Sequence, residues 1–113
     1  MPFVQTGPMR LPLTRAQLGV WHAMRIDPGS AAYDIGGYAE IRGPVSATLL
    51  EQAGARMVAE VDAFRTRFDD TTDPVTQVIA PAMPVPLHRR SFPSAPAALA
   101  WIRAELALPR DPT

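Results

Sequence analysis

The spacing of apolar positions changes several times along this chain, and each change marks an element. Leu18 and Trp21, with Met24 and Arg25 alongside, recur at helical spacing. Thr14-Arg15-Ala16-Gln17 before them has the form of a capping box, in which Thr14 accepts from the first turn and Gln17 reaches back. The spacing predicts a helix over about 15–26, ended by the turn chemistry of Asp27-Pro28-Gly29-Ser30. Ile35, Gly37, Ala39 and Ile41 then alternate with Gly36, Tyr38, Glu40 and Arg42, a strand period with one mostly apolar face. Gly43-Pro44 closes that strand. Ser46 caps a long helix whose stripe is Leu50, Ala53, Met57, Val61 and Phe64, with Val45 and Leu50 placed for a hydrophobic staple.

Two short strand-like runs follow, Arg65 to Phe68 and Val75 to Ile79. The polar segment Asp69-Asp70-Thr71-Thr72-Asp73-Pro74 between them reads as a hairpin turn. Pro81, Pro84 and Pro86 demote the next stretch, around Val85 to Arg89, to an edge strand or extended loop. Pro96 stands where the first turn of a last helix begins, Leu99, Ile102 and Leu106 form its stripe, and Pro109 and Pro112 end it. Residues 1–13, with Pro2, Pro8 and Pro12, read as an extended lead-in to a single region over 14–113. Helices and strands mix within one short chain, so the class is α/β, an α+β two-layer arrangement. Three or four strands and three helices make a thin layer, and one sheet face is expected to lack a cover.

Composition narrows the function classes. The chain has 113 residues, and its 11 basic residues balance its 11 acids. That balance argues against a nucleic-acid partner, which usually shows as a basic surplus. With no cysteine, disulfides, thiolate catalysis and Cys-ligated zinc are excluded. No apolar run is long enough to span a bilayer, and Met1 to Thr6 carry no signal-peptide pattern, so the expected compartment is the cytoplasm. All 11 basic residues are arginine, and alanine occurs 18 times, a bias that points to a GC-rich genome rather than to a function.

Candidate chemistry is sparse. His22 and His88 lie far apart and have no paired spacing. Asp69, Asp70 and Asp73 lack the alternation, glycine and terminal glutamate of a calcium loop, and read as a solvated turn. No metal site is expected. The serines lack a G-x-S-x-G elbow, and there is no P-loop or G-x-G-x-x-G. Trp21, on a helical stripe, reads as a core anchor. Arg65 and Arg67 are different. On a strand they share a face, which is costly in a half-buried sheet unless carboxylates meet them. Two readings stand: at least one pairs with residues outside this chain, or both face solvent on an edge strand.

At this point the residues resemble a known family. Leu11-Pro12-Leu13-Thr14-x-Ala16-Gln17-x-Gly19-Val20-Trp21 resembles the first core motif of nonribosomal peptide synthetase condensation domains. Asp27 to Ile35 resembles the loop that follows it, and Glu60 to Phe68 resembles the second core motif, RHExLRTxF. Ile41 to Val45 and Ala100 to Glu105 also fit. The motif residues carried over are Gln17, Trp21, Arg65, Thr66 and Phe68. Glu60-Val61-Asp62 stands where the common form has Arg-His-Glu, and Gly19 where many members carry Arg, variants similar to those of siderophore synthetases such as the enterobactin enzyme. The start at Met1, some ten residues before the first motif, fits a domain at the beginning of a protein.

The active-site motif of that family, HHxxxDG, occurs nowhere in the chain, so no residue here is assigned a catalytic role. The resemblance implies part of the N-terminal lobe of a chloramphenicol-acetyltransferase-like fold, ending before its catalytic histidine. It implies a parent that forms an amide between a carrier-bound acyl, aryl or peptidyl donor and a carrier-bound aminoacyl acceptor. It implies no directly bound cofactor, both substrates riding on phosphopantetheine arms. The implied partners are upstream and downstream carrier proteins and the rest of the synthetase. Arg65 would pair with the aspartate of the absent motif. A non-catalytic carrier-docking or linker module, and part of a related acyltransferase of the same superfamily, are the alternatives left open.

Overall fold

The computed structural model describes residues 6–82 and 87–113. Contacts divide the chain into two units. The first takes in the described residues of Met1–Leu13, Pro44–Leu87 and Pro112–Thr113; the second is Thr14–Gly43 with His88–Asp111. Helices and a small antiparallel sheet are both present, so the mixed class stands.

In the first unit, strands β1 (Met9–Pro12), β2 (Thr66–Asp69) and β3 (Thr76–Ile79) form one sheet in the order β1-β3-β2, antiparallel throughout. The hairpin expected around residues 69–74 joins β2 to β3, with Thr66 opposite Ile79 and Asp69 opposite Thr76. The lead-in residues 9–12 are more than a lead-in. They pair with β3, Met9 opposite Ile79 and Pro12 opposite Thr76. Pro12 is tolerated because it stands at the strand end on an edge, where a missing N–H breaks nothing. Central β3 carries the core of this unit: Gln77, Val78 and Ile79 are buried. Buried Gln77 donates its side-chain amide to the Pro12 carbonyl at 2.9 Å, which satisfies it.

Helix α2 (Ala47–Glu60) begins at Ser46, whose hydroxyl accepts from the Leu49 N–H. Its expected inward stripe is corrected. Val58 is the buried residue, whereas Leu50, Met57, Val61 and Phe64 are all exposed. A single 3-10 turn, Asp62–Arg65, then leads into β2, so Arg65 ends a turn and is not a strand residue.

In the second unit, helix α1 (Arg15–Ile26) starts with both bonds of the predicted capping box. Gln17 N–H donates to Thr14 Oγ1 at 3.2 Å, and Thr14 N–H donates to Gln17 Oε1 at 2.8 Å. Trp21 is buried, with the Arg25 guanidinium 5.5 Å from its ring centre. Helix α3 (Ala95–Leu106) is capped by Ser94, which accepts from Ala97 N–H, and carries its proline in the first turn. Phe92 and Trp101 lie 5.8 Å apart, and Arg90 stands over the Trp101 ring.

The strand expected over residues 35–41 is absent. Ile35, Tyr38 and Ile41 are exposed, and the stretch belongs to no described strand ladder. An alternating pattern is only half of a strand; the other half is a neighbour. Gly36 packs against Leu106 so closely that a Cβ would overlap the leucine side chain, and Gly43 turns the chain at φ +105°, a conformation that favours glycine. Of the edge strand expected around Val85 to Arg89, residues 83–86 lie outside the described residues, and 87–89 form no strand.

Candidate functional site

Arg65, Thr66 and Phe68 come together at the junction of α2, the 3-10 turn and β2. The Arg65 side chain is 8% exposed, and its guanidinium is held from three sides. Nε donates to the Val58 carbonyl at 2.9 Å, Nη2 reaches the Ala59 carbonyl at 3.4 Å and the Asp62 carboxylate, and Nη1 donates to the Ala80 carbonyl. Val58 and Ala59 lie in the last turn of α2, where helix carbonyls have no helical donors, and a cation there also meets the negative end of the helix dipole. Arg65 therefore ties the end of α2 to the residue that follows β3. Its own backbone carbonyl accepts from Ala80 N–H at 2.8 Å, which fixes the same junction a second time.

The reading of two solvent-facing arginines does not hold for Arg65. Arg65 neither lacks local acceptors nor faces solvent; most of its acceptors are backbone carbonyls, which side-chain patterns do not reveal. Arg65 and Arg67 do not share a strand face, because only Arg67 lies on β2, where it is exposed. Asp62, at the position of the motif's glutamate, is 65% exposed, so its ion pair with Arg65 is the solvent side of a buried cation. Thr66 Oγ1 donates to the Asp62 carbonyl at 2.9 Å and closes the turn. Phe68 is half-buried on β2, and its N–H donates to the Pro112 carbonyl at 2.8 Å.

Gln17 and Trp21 belong to the second unit, both on α1. The Gln17 side chain serves the helix cap. Trp21 is the buried residue of its helix, as a core anchor should be.

A further polar cluster escaped the sequence reading. Asp69 is buried at the β2 end and is not part of a solvated turn. Its carboxylate accepts from the Thr71 hydroxyl, from the Thr71 N–H at 3.0 Å and from Arg10 on β1. The Thr71 hydroxyl above all, then Arg10 and the Thr71 N–H, hold its pKa down at about 2. An aspartate two residues before a threonine is a turn signal that was available. Arg10, 59 residues away, gave none.

No acid–base set accompanies these groups. His22 and His88 are exposed, and among the described residues no three His, Asp or Glu side chains group to hold a metal. No helix among them is long and apolar enough to cross a membrane. An open depression of about 290 Å³ at the C-terminal end of α1 is lined mainly by Ala23, Met24, Ile26 and Tyr33, with Asp27 and Ser30 as its polar groups.

No solved structure matches the chain significantly. It is 36% identical over 110 residues to a dimodular nonribosomal peptide synthase of Bacillus subtilis, covering 94% of this chain and 5% of that protein. It is 37% identical over 114 residues to an isonitrile lipopeptide synthase of Streptomyces coeruleorubidus, covering 94% of this chain and 8% of that protein. With enterobactin synthase component F of Escherichia coli K12 it shares 33% identity over 73 residues, 65% of this chain and 6% of that protein. The chain thus spans less than a tenth of the length of these relatives. The family model of the condensation domain matches residues 9–107, from β1 through the whole of α3, and the chain belongs to the condensation-domain family.

Proposed function

We infer that these residues serve as part of the N-terminal lobe of a condensation domain in a nonribosomal peptide synthetase, within a chloramphenicol-acetyltransferase-like fold. The observation that carries the reading is the family match over residues 9–107. The parent activity is amide formation. The amine nitrogen of a carrier-bound aminoacyl group attacks the carbonyl carbon of a carrier-bound acyl, aryl or peptidyl thioester; the C–S bond breaks, and the thiol takes up a proton. Both substrates arrive on phosphopantetheine arms, so the partners are carrier proteins. Positioning of the amine and transfer of its proton belong to the histidine motif that this sequence does not contain.

In that reading Arg65 is a positioning residue. Its guanidinium has five N–H donors, and bonds to Val58, Ala59, Asp62 and Ala80 leave one on Nη1 for a further carboxylate. The aspartate of HHxxxDG is the group the resemblance supplies.

The chain of 113 residues is expected to be catalytically silent. The assay supplies donor- and acceptor-loaded carrier proteins and measures amide by mass spectrometry, beside a condensation domain that contains HHxxxDG. Product above the enzyme-free control from this chain alone would overturn the assignment of the chemistry to the absent motif.

A further inference from the structure

Around the Arg65 guanidinium, charge and geometry come from different residues. The Arg65 side chain is 8% exposed and that of Asp62 65%, so the counter-charge of a buried cation rests on a carboxylate that water reaches freely. An exposed aspartate contributes little to such a pair unless its backbone is held, because side-chain entropy and solvent both draw it away. Here the backbone is held at both ends of one turn. Thr66 Oγ1 donates to the Asp62 carbonyl at 2.9 Å, and Ala80 N–H donates to the Arg65 carbonyl at 2.8 Å. Between these two bonds Asp62–Arg65 forms a single 3-10 turn, in which positions three apart stand one above the other. Asp62 and Arg65 are those two positions, and the carboxylate meets Nη2, which also reaches the Ala59 carbonyl. Nε and Nη1 donate to the Val58 and Ala80 carbonyls. A planar guanidinium fixed at all three nitrogens has one orientation, so the Nη1 N–H left over keeps one direction. All of these groups lie between residues 58 and 80, within one unit.

We propose that Asp62 and Thr66 are positioning residues for Arg65, and that their turn fixes the direction of the remaining Nη1 N–H before any further carboxylate meets it. The proposal rests on the condensation-domain reading only for the identity of that carboxylate, the aspartate of HHxxxDG. The two residues have separate shares. Asp62 supplies the charge and holds Nη2. Thr66 supplies no charge and holds the backbone that carries Asp62. It does so through a hydroxyl that serine shares and that valine, of nearly the same shape, lacks. Asp62 stands where the common form of the motif has glutamate, so one carboxylate replaces another. The shorter side chain suffices here because the 3-10 turn sets positions 62 and 65 one above the other.

Nitrogen–proton NMR of the 113-residue chain reads the Arg65 guanidinium directly, its signals assigned by their loss in Arg65→Lys. A guanidinium bonded at every nitrogen is expected to show a slowly exchanging Nε–H and separate Nη protons, since turning about a C–N bond breaks a bond to an acceptor. Thr66→Val and Asp62→Asn should each merge the Nη2 signals and speed Nε–H exchange at least about fivefold, the worth of one hydrogen bond. Thr66→Ser and Asp62→Glu, which keep the hydroxyl and the carboxylate, should restore the pattern. Protection of the β3 amides in the same samples separates this effect from unfolding. Signals unchanged in both Thr66→Val and Asp62→Asn overturn the proposal, as does a loss that the serine and glutamate variants fail to restore. A second arm uses a condensation domain in which these residues are followed by HHxxxDG, and measures the amide formed from loaded carrier proteins. Thr66→Val should lower its rate about fivefold at saturating carrier, and Thr66→Ser should recover it. The expected NMR changes without any loss of rate would support the positioning unit and overturn the part given to Arg65 in the condensation reaction.

Discussion

The Arg65 junction and the Ile35–Arg42 stretch face the same requirement and meet it in opposite ways. Backbone polar groups and apolar side chains must both find partners when a chain folds. At the junction every element contributes something. The end of α2 offers carbonyls, the 3-10 turn offers Asp62, β3 leads to Ala80, and one buried guanidinium joins them. Along 35–42 the side-chain pattern is as regular as any in the chain, yet among the described residues its backbone joins no other backbone segment and the isoleucines are exposed. A charged side chain can thus be better settled than two isoleucines, if its acceptors are at hand and their apolar cover is not. The lesson is that strand pattern signals a demand for an edge, whereas a motif arginine beside a helix end can supply its own structure.

The comparison can be broken by mutation. The largest effect is expected in the second unit, to which the open stretch also belongs. Trp21→Ala should cost about 3–5 kcal/mol, as truncation of a buried tryptophan does, measured by chemical unfolding. A loss under about 1 kcal/mol would mean that the second unit does not depend on α1 for its core. Next comes Arg65→Ala, expected to cost about 2–4 kcal/mol because part-buried carbonyls at the α2 end and at Ala80 lose their donor. Arg65→Lys should recover less than half of that, since an ammonium cannot reproduce the fork. Full recovery would show that charge, not geometry, makes the junction.

A smaller effect is expected at Asp69, and its sign follows from linkage. The folded carboxyl has a pKa of about 2, below the unfolded value near 3.8, so ionised Asp69 stabilises the folded chain. That contribution is complete above about pH 4 and is lost as the pH falls through about 2. Thermal melts of the natural chain and of Asp69→Asn should converge over that range; curves that stay parallel would remove Asp69 from the account. The smallest effect belongs to Ile35→Ser. An isoleucine this exposed should contribute within about 0.5 kcal/mol to the unfolding of the monomer. A loss of 2 kcal/mol or more in dilute solution would show that 35–42 is packed after all, and the contrast between the two regions would collapse.

How much of this was legible can be judged residue by residue. The α1 boundaries and both capping-box bonds follow from Thr14 and Gln17, because a cap is written within four residues. Ser46 was as readable for α2, Pro96 marked the first turn of α3, and the β2–β3 hairpin lay in a few polar residues between two apolar runs. The motif residues that carry the family likeness were equally visible. The inward face of α2 was misjudged, because periodicity names a stripe but not what covers it: Val58 is buried while Met57 beside it is not.

By itself, then, the sequence determined the local elements, the family to which they belong and the absence of a histidine pair. These depend on neighbours a turn or a hairpin apart, where side-chain chemistry and backbone bonds are written in the same few residues. Only the tertiary structure decided that residues 9–12 form a sheet edge against β3, that Arg10 reaches Asp69, that Arg65 spends itself on carbonyls of α2 and Ala80, and that residues 35–42 join no strand ladder among the described residues. Each of these is a meeting, or a failed meeting, between distant backbone and side-chain groups. Carbonyls carry no residue identity, and an edge exists only once another strand stands beside it. Neither can be read from the order of residues alone.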